Sequence, residues 1–149
     1  MTPVYLFVRI KPTNLVGFMV KISKKAQYGL RAMVYLGRVS LKKEIASLKK
    51  ISQAEGIPFD FLEKIISSLE KAGLLKSKKG VSGGYFLARS PKRISAGEIM
   101  EALEGEIAPV GCALCGKSKR CLSKNVWDEV RASLVSTLNS ITLYDLLKK

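Results

Sequence analysis

Two apolar-faced stretches meet at Gly56-Ile57-Pro58, and that break constrains the fold more than any other feature of the chain. Ser47 through Glu55 reads as a short helix with Leu48, Ile51 and Ala54 turned inward, because residues three apart share a helix face. Glycine and proline then interrupt it. Pro58 suits the first turn of a following helix, where its missing N–H costs nothing. From there Phe61, Leu62, Ile65, Ile66 and Leu69 keep one apolar face as far as Ala72-Gly73. Short helix, tight turn and longer helix form the helix-turn-helix arrangement.

The flanking pattern extends this unit in both directions. A helix opens with Ser23 as N-cap and carries Ala26, Leu30, Met33, Val34 and Leu36 to Val39; residues 41–47 either continue it or start a connector. Segments 74–78 and 85–88 are strand-like, and the glycines between them permit a tight hairpin, a wing. Ser95 and Glu98 form a capping box ahead of a helix that stops at Gly105. A long helix from Leu122 to Asn139 lines up Val126, Trp127, Val130, Leu134 and Leu138, and Thr142 caps a last turn through Leu147.

The expected fold is therefore mainly α with a small β-hairpin wing: a winged helix-turn-helix followed by a long C-terminal dimerisation helix. Residues 19–92 are expected to form the DNA-binding domain and residues 93–149 a cysteine-loop, cluster-binding and dimerisation region. Residues 1–18 hold an apolar run that Pro12 interrupts, without a basic leader or cleavage site, so they suit neither a signal peptide nor a membrane span. They read as an extension of unclear role, such as an early start codon or an added arm would give.

Charge points to the partner. Lys and Arg outnumber Asp and Glu by 26 to 12 in 149 residues, a formal +14. Residues 19–80 hold 14 basic and 5 acidic side chains, whereas residues 81–149 hold 10 and 7. A local cation excess on a helix-turn-helix is what neutralising duplex DNA phosphates requires. The second helix of such a motif presents its early residues to base edges, which nominates Phe59, Asp60, Glu63 and Lys64. For Glu63 and Lys64 the competing explanation is a surface ion pair. Lys49, Lys50, Lys78 and Lys79 are expected on phosphates, and the Gly83-Gly84-Tyr85 backbone of the wing is expected to approach the minor groove.

Cys112, Cys115 and Cys121 are the only cysteines and fall within ten residues of one another. An odd number with no secretory signal argues for thiolate ligation in a reducing cytoplasm rather than a disulfide framework. Iron–sulfur ligation, structural zinc, a thiol switch and incidental buried cysteines without a cofactor are the four competing readings, and iron–sulfur ligation is the one expected. There is no histidine, so a fourth ligand must be an oxygen donor, a residue of a second subunit or a small exogenous molecule, and a cysteine nucleophile would lack its usual base. No enzyme is expected.

Several segments taken together resemble the Rrf family of bacterial transcription regulators, its iron–sulfur members in particular. They are Ile22-Ser23-Lys24-Lys25-Ala26-Gln27-Tyr28-Gly29-Leu30-Arg31-Ala32, residues 51–57, Phe61-Leu62-Glu63-Lys64-Ile65, residues 71–74, Gly83-Gly84-Tyr85, residues 102–105, Trp127 and residues 140–147. The resemblance implies a homodimer on a double-stranded operator, with the three cysteines holding a 2Fe–2S or 4Fe–4S cluster that reports iron–sulfur, redox or nitric oxide status. It places Glu63 where the family has a sequence-discriminating glutamate and Lys79 where it has a basic wing residue. Iron–sulfur members often take a fourth ligand from a histidine, where this chain has Lys124, or from an acidic residue of the partner's first helix, where it has Gln27. The fourth ligand is thus unknown. The alternative is a regulator of the same fold controlled by a thiol switch, zinc or a protein partner.

Overall fold

The computed structural model describes residues 22–108 and 121–148. The expected extension over residues 1–18 and two of the three cysteines, Cys112 and Cys115, lie outside the described residues. Helix α1 (Lys24–Leu41) begins where expected, with the Ser23 hydroxyl accepting the Ala26 N–H at 3.1 Å. It buries Ala26, Ala32, Met33 and Leu36 completely. Its C-terminus closes when Lys43 takes a left-handed conformation, φ 57°, and the Glu44 N–H reaches back to the Val39 carbonyl at 3.2 Å.

The connector beyond α1 is where the hairpin gains a third strand position. Ala46 exchanges both backbone hydrogen bonds with Tyr85, at 2.8 and 3.1 Å. Nothing local in residues 41–47 announces this, since the partner is far away in sequence.

Helix α2 (Leu48–Glu55) is capped by Ser47, and Gly56 ends it in the left-handed conformation at φ 61°. Ile51 is buried, but Ala54, expected inward, is exposed. The inward stripe instead runs Leu48, Ile51, Ser52, Glu55, because the two polar members are satisfied there. Ser52 donates to the Ile57 carbonyl at 2.7 Å, and Glu55 accepts from Arg31 at 3.2 Å. Pro58 is not inside the next helix but immediately before it. Its carbonyl accepts the Phe61 and Leu62 N–H groups at 3.1 and 2.9 Å, so helix α3 (Phe59–Lys71) starts one residue later. Leu62, Ile65, Ile66 and Leu69 are buried along one face of α3.

Strands β1 (Leu75–Lys78) and β2 (Gly84–Leu87) pair antiparallel, with Leu75 opposite Leu87 and Lys78 opposite Gly84. A Cβ at Gly84 would lie 2.5 Å from the Ala46 carbonyl oxygen, so only glycine lets the connector close on β2. A 3₁₀ turn (Pro91–Arg93), not foreseen from sequence, leads to α4 (Ala96–Glu104), whose Ser95–Glu98 capping box is complete. Helices α5 (Lys124–Ser140) and α6 (Leu143–Leu147) follow, and Thr142 and Asp145 form a second capping box on α6.

One apolar cluster joins these parts. Ile94, Ile99, Leu103 and Leu143 share it with the residues beneath α3. Helix α5 adds no buried residue to that cluster, since none of its 17 residues is buried. Among the described residues no helix is long and apolar enough to cross a membrane.

Partial burial raises the pKa of the Glu98 carboxyl. The Ser95 backbone N–H at 2.9 Å, the Arg89 guanidinium at 2.6 Å and the Ser95 hydroxyl outweigh that effect and hold it below its ordinary value. A carboxyl depressed by folding stabilises the native state above its unfolded pKa, and that contribution is lost as pH falls through the folded pKa. Denaturant titrations are expected to show the parent losing stability more steeply than Glu98→Gln below about pH 4.3. Matching acid limbs would contradict this account. In the same assay Gly84→Ala is expected to cost about 1–3 kcal/mol by forcing the connector off β2.

Candidate nucleic-acid interface and cysteine loop

Burying one stripe of α3 leaves its opposite face to solvent. Phe59, Asp60, Glu63 and Lys64 occupy the first two turns of that face and are all exposed, Phe59 at 47% despite being aromatic. Among the described residues neither Glu63 nor Lys64 forms an ion pair, so the competing surface pairing is not what occupies them. The carboxylate and the ammonium are both available to a partner. Beneath them α3 is braced on α1, with Phe61 edge-on to Tyr28 at 5.7 Å between ring centres.

Lysines surround this face. Lys49 and Lys50 are exposed in the first turn of α2, where unpaired N–H groups add positive potential. Lys78 and Lys79 are exposed at the end of β1. Gly83, Gly84 and Tyr85 are half-buried. Gly84 and Tyr85 lie within β2, next to Ala46, and build the wing, while the outward turn is Lys79-Gly80-Val81-Ser82, closed by the Gly83 N–H on the Gly80 carbonyl at 2.9 Å.

Two features escaped the sequence reading. Val81 is fully exposed at the tip, an apolar residue whose only sequence signal is its isolation among glycines and serine. The Ser77 hydroxyl donates to Glu70 at 2.6 Å, tying β1 to the last turns of α3 and fixing the wing against the exposed face. No spacing rule would have paired them.

Of the cysteines, Cys121 is described. It is exposed, with its Sγ 3.1 Å from the Ser123 hydroxyl. That hydroxyl first, then the backbone N–H groups of Ser123 and Lys124, hold the thiol below its ordinary pKa. A thiol so placed suits thiolate ligation. Of the two positions where a fourth ligand was sought, Lys124 is engaged with Asp128 at 2.6 Å and Gln27 donates to the Ile22 carbonyl at 2.9 Å. The Lys124 ammonium is thus taken up by an ion pair, and of the Gln27 amide it is the nitrogen that is engaged. Helix α5, which leads away from Cys121, carries an open apolar groove formed by Val126, Val130, Leu134 and Leu138, with Val126 59% exposed.

Comparison with known proteins agrees with this geometry. Residues 22–149 match the family model Rrf2, described as an iron-dependent transcriptional regulator. The Rrf2 protein of Nitratidesulfovibrio vulgaris is 34% identical over 133 residues, covering 87% of this chain and 88% of that protein. Among solved structures, T. potens IscR superposes with a TM-score of 0.72 at 39% identity, covering 86% of each chain. CymR, titled the global cysteine regulator of B. subtilis, also gives a TM-score of 0.72, at 38% identity over 87% of this chain and 98% of that one. The named relatives are regulators of transcription, not enzymes.

Replacing Ser123 with alanine removes the leading cause of thiol depression. Alkylation of Cys121 by iodoacetamide at neutral pH, followed by peptide mass mapping, is expected to slow in Ser123→Ala. An unchanged rate would remove Ser123 from the account of that thiol.

Proposed function

The chain belongs to the Rrf2 family of transcriptional regulators, and from that premise we propose that it grips a two-fold DNA operator as a homodimer and senses its signal through an iron–sulfur centre. The observation that carries the DNA reading is the outward face of α3, where Glu63 and Lys64 are exposed and without an ion pair among the described residues, followed in the chain by a wing with exposed lysines.

In the duplex, α3 lies in the major groove. Glu63, with Asp60 beside it, accepts from a cytosine amino group, Lys64 donates to guanine, and Phe59 offers an apolar contact to a thymine methyl. Lys49, Lys50, Lys78 and Lys79 hold phosphates, which sets register without reading sequence. The wing turn, with Gly83, Gly84 and Tyr85 supporting Val81 at its tip, enters the minor groove. Glu70 and Ser77 keep helix and wing at one angle, so both grooves are engaged together. The exposed groove of α5 is the face that pairs two copies, because a 17-residue helix with no buried residue has not yet found its apolar partner.

Cys112, Cys115 and Cys121 would hold the cluster. When bound, it supplies iron centres that change oxidation state or break down on reaction with oxidants or nitric oxide. The chain's part is to order the segment between α4 and α5 in one arrangement. If that arrangement alone sets the two copies of α3 about one DNA turn apart, cluster occupancy and operator affinity are linked. A second reading, a thiol switch without a cluster, is favoured by the depressed Cys121 thiol together with the likeness to a cysteine regulator.

Anaerobic purification with iron and sulfide counting separates the two. Stoichiometric iron and sulfide lost in Cys115→Ala are expected, and a colourless protein that reconstitution cannot load would leave the thiol switch. On a duplex selected from a random pool, Glu63→Ala is expected to relax preference at one cytosine by about 1–3 kcal/mol. Replacing Lys78 and Lys79 together is expected to weaken all duplexes alike and lower the salt slope by about two. Equal preference at every position in the parent and in Glu63→Ala would remove Glu63 from base reading.

A further inference from the structure

Arg131, in the second turn of α5, reaches back to the segment leading out of α4. Its Nε donates to the Ile107 carbonyl at 3.2 Å, and its Nη2 pairs with the Glu106 carboxylate. The planar guanidinium fixes two acceptors in one orientation, which a lysine ammonium does not do. Beyond the cysteines, the Cys121 carbonyl accepts the Lys124 N–H at 3.2 Å, joining that end to the first turn of α5. The two chain ends that flank the cysteine segment are therefore fastened to one helix, and on the incoming side a single side chain does it.

The rest of α5 explains why such a clamp has consequences. Near its C-terminus, Asn139 sits against Gly97, where an added Cβ would lie 2.0 Å from the Asn139 Oδ1, so this end is docked on α4. Leu134 and Leu138 lie between Arg131 and Asn139, and Val126 and Val130 lie just before Arg131; together they form the groove assigned to the second copy. Arg131 and Glu106 side chains are 41% and 61% exposed, and an ion pair that wet contributes little to stability. Its effect is on geometry.

We propose that Arg131 is the positioning residue through which the state of the cysteine segment reaches the dimer helix, and so the spacing of the two DNA-reading helices. The proposal rests on the sensing reading above. A shift of residues 106–107 moves the N-terminal half of α5 through the guanidinium while Asn139 holds the other end.

The test is the ratio of operator affinities of the full-length dimer reconstituted anaerobically with ferrous iron and sulfide and of the same protein after chelation. A parent ratio of about tenfold or more is expected, against a ratio within about twofold of one in Arg131→Gln with parental iron content and dimerisation. Arg131→Lys, which keeps the charge but not the fork, is expected to lose most of the ratio. Glu106→Gln, which keeps an accepting oxygen, is expected to retain most of it. A merely structural Arg131 would weaken both states equally and leave the ratio at its parental value, which overturns the proposal. An Arg131→Gln protein that no longer retains iron also overturns it, making Arg131 a loop-folding residue. Where Arg131→Gln does not fold, Arg131→Lys decides by the same ratio. A parent ratio of one sinks the sensing reading itself, and this inference with it.

Discussion

Burial of Leu62, Ile65, Ile66 and Leu69 on one side of α3 is the constraint from which the rest of the molecule follows. Each such side chain contributes about 1.5–3 kcal/mol when taken from water, so rotating α3 to hide another face would forfeit several times the energy of any single polar contact. A helix has one face to bury. Fixing it fixes the opposite one, and Phe59, Asp60, Glu63 and Lys64 are held outward by the burial of the other face.

Helix α1 carries that constraint to the other end of the chain. Its inward residues lie against the helix-turn-helix, while the small surface of Gly29 admits Leu103 of α4 and that of Gly37 admits Leu147 of α6. Lys25 donates to the Leu103 carbonyl at 2.7 Å, and Ser23 bonds to Glu104. The end of α4, from which the cysteine segment departs, is thereby seated on the same helix that braces the reading head. Packing of Leu103 and Leu147 on the two glycines holds the seam, with the part-buried Lys25 contact beside it.

What could be read without coordinates was local. Caps at Ser23, Ser95 and Thr142 were legible because each hydroxyl serves an N–H three residues away. Misreadings came where a distant partner decided. Ala54 yielded its inward place to Ser52 and Glu55 because Ile57 and Arg31 satisfy those polar groups. Pro58 is a local exception: its carbonyl serves two N–H groups of the first turn, which makes it the N-cap of α3 and not a residue of the helix. Of the candidate site, the α3 face was foreseen as a set of residues, whereas the Glu70–Ser77 tie, the exposed Val81 and the Arg131 clamp were not.

By itself, the amino-acid order determined the helices, the turn at Gly56, the hairpin, the basic front half and the clustering of cysteines, since propensity, capping and charge act over a few residues. Only the tertiary structure decided that the connector closes on β2 through Ala46 and Gly84, that Ser77 of the wing bonds to Glu70 of the reading helix, and that α5 is tied at Asn139 and Arg131 with its apolar groove left open. Most of those relations join residues tens of positions apart, and no periodicity records a contact whose two halves are brought together only when the core closes.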